Sequence, residues 1–271
     1  MKTYIINRDG DSKDDRNKGA GLRITVPVLL FWLAVWQAAS MLIANELKLF
    51  LPAPGAVFGR LAELLCTAGF YKNAGSTLLR IFCGFVLGSA LGLAFGIFTF
   101  ASKAARTVFA PAMRVIRAVP VVSFIILAFL FIKVDRLPVF ISMLMVMPTV
   151  WQSVHDGLCG TDRQLTEMCR VYKVGKVREL FAVRLPLSGP EVVTAAVNAL
   201  GLAWKSGVAA EVLCTPAVSI GYSLSRAKGN LDFEGVYAMT LTVVVLSVLF
   251  EIVLKLLCRH FITGGNENAE A

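Results

Sequence analysis

Long apolar runs alternate with short polar stretches over most of this 271-residue chain. A helix needs about 20 residues to cross a bilayer, and six runs approach or exceed that length. Their approximate bounds are 24–44, 80–101, 118–133, 137–157, 190–214 and 236–258. We therefore predict an all-α fold, a polytopic membrane bundle of about six transmembrane helices. A very apolar soluble protein fits less well, because the runs are apolar on every helical face.

The second apolar run carries glycine at every fourth position, at Gly84, Gly88, Gly92 and Gly96. Residues four apart lie on one face of a helix, so these glycines form a stripe without side chains. Such a stripe lets another membrane helix approach closely. The spacing predicts that this face packs against a neighbouring helix of the bundle.

Polar segments divide the chain into a central membrane domain and two tails. Residues 1–23 are polar and lack the pattern of a cleavable signal peptide, so we expect a retained N-terminal tail. Residues 24–260 form the predicted transmembrane domain, and residues 261–271 a C-terminal tail. The long connection 45–79 is predicted to contain a short amphipathic helix near residues 56–65.

Basic residues predict how the bundle is oriented in the membrane. Segments 1–23, 102–117, 158–189 and 255–271 hold 18 of the 27 Lys and Arg residues, whereas the opposite connections hold eight. Cytoplasmic loops are enriched in Lys and Arg, so we expect both tails and residues 158–189 on the cytoplasmic side of the plasma membrane. This bias accounts for most of the +9 net charge, and no nucleic-acid partner is needed to explain it.

The fifth apolar run contains charged residues at membrane depth. Lys205 and Glu211 lie six positions apart, and Trp204 stands beside the lysine. A charge at the bilayer centre costs about 2.5–3.5 kcal/mol on insertion scales, so it usually faces a cavity or a partner. We predict that Trp204, Lys205 and Glu211 line a substrate pathway in which Lys205 meets an anionic group. Two alternatives remain: Lys205 pairs with an acid on a neighbouring helix, or Glu211 reaches the external interface.

No residue pattern predicts catalysis. The six cysteines lack C-x-x-C spacing and indicate neither a metal site nor disulfides. The chain contains no G-x-x-x-x-G-K-[ST] nucleotide loop. Lys205 and Ser206 are adjacent and point in different directions on a helix, which disfavours a Ser/Lys dyad. We therefore predict a protein that is not an enzyme and has no catalytic residues, metal or cofactor of its own.

The segment 158–189 interrupts the apolar runs with a basic, amphipathic stretch whose apolar residues follow helical spacing. Asp162 can cap a first short helix, Val174-Gly175 fits a turn, and Pro186 can end a second helix. The two helices would form a mixed apolar and basic knob. By these features alone the knob could lie on the membrane surface, pack on the bundle, or dock into a partner's groove.

This segment resembles the cytoplasmic loop of ABC importer permeases, the E-A-A…G…I-x-L-P motif. The matching residues are Glu167, Met168 and Cys169, followed by Val183, Arg184, Leu185 and Pro186. Cys169 replaces an alanine of the motif, and Lys173 stands where the motif has glycine. The nearest glycine is Gly175, so we expect the turn to be shifted toward it or shaped differently.

The resemblance covers about residues 50–258 and is to nitrate/sulfonate/taurine-type permeases. The segments that carry it are Leu51–Pro54, Ser76–Arg80 with Gly84, Pro111, Arg117–Pro120, Gly201–Lys205 and Ala209–Glu211. It implies a permease subunit that imports a small, anionic solute delivered by an extracytoplasmic binding protein. It also implies a second permease subunit, most simply a second copy, and separate ATPase subunits that bind ATP and Mg.

In such permeases the loop couples the ATPase to the membrane helices. The coupling surface implied here consists of Glu167, Met168, Cys169, Arg170, Tyr172, Lys173, Gly175, Leu185 and Pro186. We expect Glu167→Arg or Gly175→Pro to uncouple ATP hydrolysis from transport. The alternative is a stand-alone secondary transporter or channel without an ATPase. The loop at 158–189 and the lack of mid-membrane acids in the first four runs disfavour it.

Overall fold

The computed structural model describes residues 27–42 and 50–267, with side chains described as far as residue 256. Within these ranges the chain is helical and contains no strand, which confirms the all-α prediction. The helices are α1 Pro27–Leu42, α2 Pro54–Leu65, α3 Ala68–Ala101, α4 Lys103–Ala118, α5 Val121–Phe129, α6 Leu137–Cys159, α7 Arg163–Val171, α8 Lys176–Glu179, α9 Leu185–Cys214, α10 Ile220–Gly229 and α11 Phe233–Glu267. A 3₁₀ turn precedes α6 at Val134–Arg136, and a π-helical turn joins α8 to α9 at Leu180–Arg184.

Judged by length and composition, four helices in the described part of the chain can cross a membrane, namely α3, α6, α9 and α11. Helices α4 and α5 give a fifth span if they are counted as one bent pair. Helix α1 is apolar but shorter, and the predicted run 24–44 extends beyond the described residues at both ends. Six predicted spans thus correspond to four long helices, one bent pair and one short helix.

The third predicted span, 118–133, is not one straight helix. Helix α4 occupies the segment predicted as a connection, 102–117, and meets α5 at a bend of 101°. Val119 is extended, with φ −77° and ψ 134°, immediately before Pro120. Proline disfavours the helical conformation of the residue before it, so the helix ends there and restarts in a new direction.

Other helix bounds also differ from prediction. Helix α3 begins at Ala68, well before the predicted start near residue 80, because Phe70 and Ala74 of its first turns pack against Ile220 and Met239. The amphipathic helix expected near 56–65 is α2, which has proline in its first turn. Helix α11 continues to Glu267 and so covers residues 261–267 of the predicted C-terminal tail. Residues 1–23 lie outside the described residues.

Helix α6 is the central helix and packs between α3 and α9. The glycine stripe of α3 faces it, and the two backbones touch. A Cβ atom added at Gly88 would lie 2.7 Å from the carbonyl oxygen of Met143 and 2.8 Å from Cβ of Val146. Gly84, Gly92 and Gly96 show equally close approaches to α6. Only glycine permits this separation, as expected for small-residue contacts between membrane helices.

The apolar core lies among α3, α6 and α9. Its buried members are Ile81, Phe85, Val146, Val150, Val154, Leu158, Ala199, Leu200, Ala203 and Trp204. The hydroxyl of Ser142 donates to the Ala203 carbonyl at 3.1 Å and so links α6 to α9 inside this core. Because α6 and α9 share the core, the hairpin that joins their ends is attached to a rigid base.

Candidate coupling site and transport pathway

The candidate coupling site is the hairpin from residue 160 to residue 184, which joins α6 to α9. Asp162 caps α7, as predicted: its carboxylate accepts a hydrogen bond from the Gln164 N–H at 2.9 Å. At the other end the Val174 N–H donates to the Cys169 carbonyl at 2.9 Å, and the Lys173 N–H to the Arg170 carbonyl at 3.0 Å. This pair of bonds is a Schellman cap, so both ends of α7 are closed.

The turn of the hairpin is not shifted toward Gly175. Lys173 has φ 54°, which is the left-handed conformation that glycine favours and that a Schellman cap requires. Gly175 has φ −65° and ψ 143°, values open to any residue, and serves as the N-cap of α8. The turn therefore adopts the left-handed conformation without a glycine. Placing a lysine in this conformation costs about 1–2 kcal/mol of stability.

Pro186 does not end the second helix of the hairpin. The helical path continues from Lys176 through the π turn to Cys214, and Pro186 lies in the first turn of α9. Pro186 follows directly on the π turn at Leu180–Arg184, where the regular α-helical hydrogen-bond pattern is already interrupted. The second half of the hairpin is therefore continuous with a membrane helix.

Arg184, in the π turn, binds three segments together. Its guanidinium contacts the Glu179 carboxylate at 2.7 Å, the Leu158 carbonyl at 3.0 Å and the Thr166 hydroxyl at 3.2 Å. It also lies 5.3 Å from the centre of the Phe100 ring, a cation–π distance. Arg184 is mostly buried. A displacement of α7 would therefore be transmitted to the ends of α6 and α9.

The predicted coupling residues divide between two environments. Met168, Val171 and Tyr172 share an exposed face of α7 with Glu167, and these three apolar side chains are 50%, 78% and 76% exposed. Cys169 is buried on the opposite side, and Leu185 packs against the core. Val171 is the member of this face that the motif did not indicate. A cluster of large exposed apolar side chains is typical of an interaction surface.

The other predicted coupling residues lie beside that face. Arg170, Lys173 and Gly175 are exposed around the turn, and Pro186 is exposed at the start of α9. The structure thus brings Glu167, Met168 and Tyr172 together on one face of α7 and its C-cap, whereas Arg170 lies on a different side of the helix. Leu185 and Pro186 lie on α9, beyond the π turn.

The three predicted pathway residues separate. Trp204 is buried and packs against Phe250 of α11, with ring centres 6.0 Å apart. Glu211 is fully buried, and only Lys205 reaches the surface. No acid lies within ion-pair distance of Lys205 among the described residues, so it does not pair with an acid of a neighbouring helix of this chain.

Glu211 belongs to a buried polar cluster that joins α3, α9 and α10. Its carboxylate accepts from the Thr77 hydroxyl at 2.7 Å, and from Arg80 and the Gly221 N–H at 3.4 Å each. Arg80 also donates to the Val218 carbonyl at 2.7 Å. A buried carboxylate needs such partners, and Arg80 in turn contacts the exposed Asp135 at 3.5 Å, so in this structure Glu211 holds α3, α9 and α10 together.

Sequence reasoning did not single out Thr77 and Arg80 as partners of Glu211. A signal was present, because Ser76–Arg80 and Ala209–Glu211 both carry the family resemblance. The two segments meet in the structure although Thr77 and Glu211 are 134 residues apart.

Lys205 lies on an exposed polar stripe of α9. The stripe consists of the polar residues Glu191, Thr194, Asn198 and Lys205, interrupted by one apolar residue, Leu202; all five follow one another at helical spacing. An open cleft of about 380 Å³ lies along its first two turns, beside Ser153 of α6. Polar and charged side chains on a membrane helix are costly against lipid, so this face is suited to water or to another protein surface.

On the opposite side of the bundle from the hairpin, an ion pair fixes α2 to the start of α11. Arg60 contacts Asp232 at 2.9 Å and Glu63 at 2.7 Å. Burial alone would raise the pKa of Asp232, but the Gly235 N–H and Arg60 outweigh it and hold the pKa below its usual value. Hydrogen bonds to Glu63 and Asp232 raise the pKa of Arg60.

Comparison with known proteins agrees with this architecture. A putative aliphatic sulfonates transport permease protein of Bacillus subtilis is 27% identical over 237 residues, covering 86% of this chain and 84% of the relative. A probable ABC transporter permease protein of Brucella abortus is 26% identical over 220 residues, covering 81% and 87%. The solved MetNI methionine ABC transporter, in inward-facing conformations, shares the fold with a TM-score of 0.61. The identity is 18%, over 71% of this chain and 95% of that chain.

A family model described as the binding-protein-dependent transport system inner membrane component matches residues 84–262. The match includes the second half of α3, the whole hairpin and the stripe of α9. It spans more than half of the chain and runs through several apolar helices, so the protein is a multi-pass membrane protein and a transport subunit, not an enzyme. The chain therefore belongs to the family of inner membrane components of binding-protein-dependent transport systems, the permease subunits of ABC importers.

Proposed function

We propose that this permease imports a small anionic solute across the cytoplasmic membrane, driven by ATP that a separate ATPase hydrolyses. An extracytoplasmic binding protein delivers the solute, and both tails and the hairpin lie in the cytoplasm. The similarity to a sulfonate permease and the exposed Lys205 support an anionic solute. Family membership argues against the alternative of a stand-alone transporter or channel.

The observation that carries the proposal is the exposed apolar face of α7 together with its connection through Arg184. The ATPase receives Met168, Val171 and Tyr172 in a groove, as partner proteins receive amphipathic helices. Closure of the ATPase pair on ATP and Mg then moves α7. Because Arg184 joins α7 to the ends of α6 and α9, the motion reaches the membrane helices directly.

Substitution of Val171 by glutamate tests the docking face. We expect it to weaken association with the cognate ATPase at least tenfold, because a carboxylate would be buried without a partner in an apolar groove. Val171→Ile keeps the apolar contact and serves as the matched control. The measurements are co-purification of the ATPase in detergent and ATP-dependent uptake in proteoliposomes. A Val171→Glu permease that retains its ATPase at the wild-type ratio would contradict the docking assignment.

The pathway lies along the α9 stripe, between this chain and a second permease subunit. A second copy of the chain is the simplest partner, because it would place a polar stripe opposite a polar stripe and shield both from lipid. Lys205 lies about two thirds of the way along α9. Its ammonium group, exposed in one subunit, would then attract an anionic solute inside the closed pathway.

Neutralising Lys205 tests this pathway. We expect Lys205→Gln to lower uptake of an aliphatic sulfonate about tenfold, since a hydrogen bond to a charged group contributes about 1.5–3 kcal/mol. Lys205→Arg keeps the charge and should retain most of the uptake. Binding-protein-dependent uptake in proteoliposomes is the measurement, with ATPase co-purification as the check on assembly. Full uptake by an assembled Lys205→Gln transporter would remove Lys205 from the pathway.

A further inference from the structure

A second cavity, of about 620 Å³, lies between the coupling hairpin and the end of α3. Phe100 and Ala101, the last residues of α3, form one wall. The turn of the hairpin forms the second wall, and α8 with the π turn forms the third. The cavity is therefore built from both halves of the hairpin and from a membrane helix.

The cavity is strongly basic. Four basic side chains and one acidic side chain line it, a net charge of +3. Arg184 and Glu179 neutralise each other at 2.7 Å. Arg170, Lys173 and Lys176 are exposed and have no acid within ion-pair distance among the described residues. Three like charges around one cavity repel each other, and a bound anion would relieve that repulsion.

The same cavity has an apolar side beside the last residues of α3. Val177 and Leu180 line it together with Phe100, at the end of a helix that spans the membrane. A ligand that fits both sides carries an anionic head for the cations and an apolar part for these side chains. This combination favours an anionic phospholipid over a free anion.

The cavity and the proposed ATPase face lie on different sides of α7. Met168 and Val171 point to the exposed face, whereas Thr166 and Arg170 line the cavity. At about 100° per residue, the centres of these two faces are more than a quarter turn apart. The cavity can therefore be occupied while the ATPase is docked.

The backbone conformation of Lys173 also favours a ligand-binding role for the cavity. The turn holds it at φ 54°, where glycine would be free of strain. Backbone strain at one residue is often associated with a functional role. Here the strained residue supplies the third unpaired cation of the cavity.

We infer that this cavity binds the phosphate of an anionic phospholipid from the cytoplasmic leaflet, held by Arg170, Lys173 and Lys176. The inference rests on the proposed cytoplasmic placement of the hairpin. It goes beyond the proposed transport function, because it adds a membrane lipid as a ligand of the coupling hairpin. A lipid bound there would make contact with both halves of the hairpin at once.

The test measures binding of phosphatidylglycerol to the purified full-length permease by native mass spectrometry. We expect Lys176→Gln and Lys173→Gly each to weaken binding about fivefold, at about 1 kcal/mol per basic residue near an anionic surface. The control is Arg178→Gln, two residues from Lys176, because Arg178 is exposed but does not line the cavity. Lys173→Gly also relaxes the turn, so misfolding would not explain its loss of affinity.

Three results would overturn the inference. Equal weakening by Lys176→Gln and Arg178→Gln would indicate general surface charge instead of a site. Displacement of the lipid by millimolar inorganic phosphate would identify a free anion as the ligand. Loss of the lipid on addition of the ATPase would assign the cavity to the protein interface. The assay needs neither transport nor ATP, so it can fail while the Val171 prediction holds.

Discussion

A Gly88→Val permease is expected to lose about 3 kcal/mol or more of stability, because overpacking at a backbone contact cannot be relieved by rotating a side chain. An added Cβ would lie 2.7 Å from the Met143 carbonyl oxygen, so α3 and α6 would have to separate. These two helices form the largest contact of the bundle. We expect the unfolding midpoint in detergent to fall by about 10 °C, at about 2–4 °C per kcal/mol for a chain of this size.

Gly75→Val provides the matched control for Gly88→Val. Gly75 lies on the same helix, and an added Cβ would meet no atom within 4 Å. The same residue type is thus introduced at an open position and at a helix contact. We expect the Gly75 variant to change stability by no more than about 0.5 kcal/mol. Equal losses in both variants would show that helix propensity, and not packing on α6, determines the effect.

Lys173→Pro is expected to reduce ATP-driven uptake at least tenfold without preventing membrane insertion. Proline fixes φ near −65°, whereas Lys173 has φ 54° and donates its N–H to the Arg170 carbonyl. The substitution therefore removes both the left-handed conformation and one bond of the Schellman cap. Helix α7 would lose its end and its fixed orientation. Uptake in proteoliposomes and the amount of ATPase that co-purifies are the measurements.

Gly175→Pro is the control for the turn, and the structure reverses the expectation for it drawn from the motif. Gly175 already has φ −65°, the value that proline adopts. We expect this variant to keep its ATPase and its uptake. Lys173→Gly should keep the ATPase as well, because glycine adopts the left-handed conformation without strain. If Gly175→Pro were as damaging as Lys173→Pro, the left-handed turn at Lys173 would not be the critical feature of the hairpin.

Local and periodic features were predictable from the sequence. The apolar runs predicted the helical class, the four-residue glycine spacing marked the face that meets α6, and Asp162 marked the start of α7. Each depends on residues within a few turns of one another, so the pattern along the chain determines the outcome. The bend between α4 and α5 also had a local signal in Pro120, but its angle of 101° depends on what each helix packs against.

Features that join distant parts of the chain were not predictable in the same way. Glu211 and Lys205 look alike in sequence, since each is a charge within one apolar run. Only the fold decides that Glu211 meets Thr77 and Arg80 in the interior while Lys205 faces outward. The side chains that donate hydrogen bonds to the buried Glu211 carboxylate come from α3. No spacing within α9 identifies them.

The hairpin shows most clearly which features follow from the local sequence and which depend on contacts with distant residues. The sequence by itself determined that residues 158–189 form a basic, amphipathic element between membrane helices, because composition and helical period are properties of the segment. The tertiary structure alone decided that Pro186 lies inside a continuous helical path and that Arg184 ties three segments together. The partners of Arg184 lie on other helices, as far as 26 residues away along the chain, so composition and helical period within the segment do not identify them.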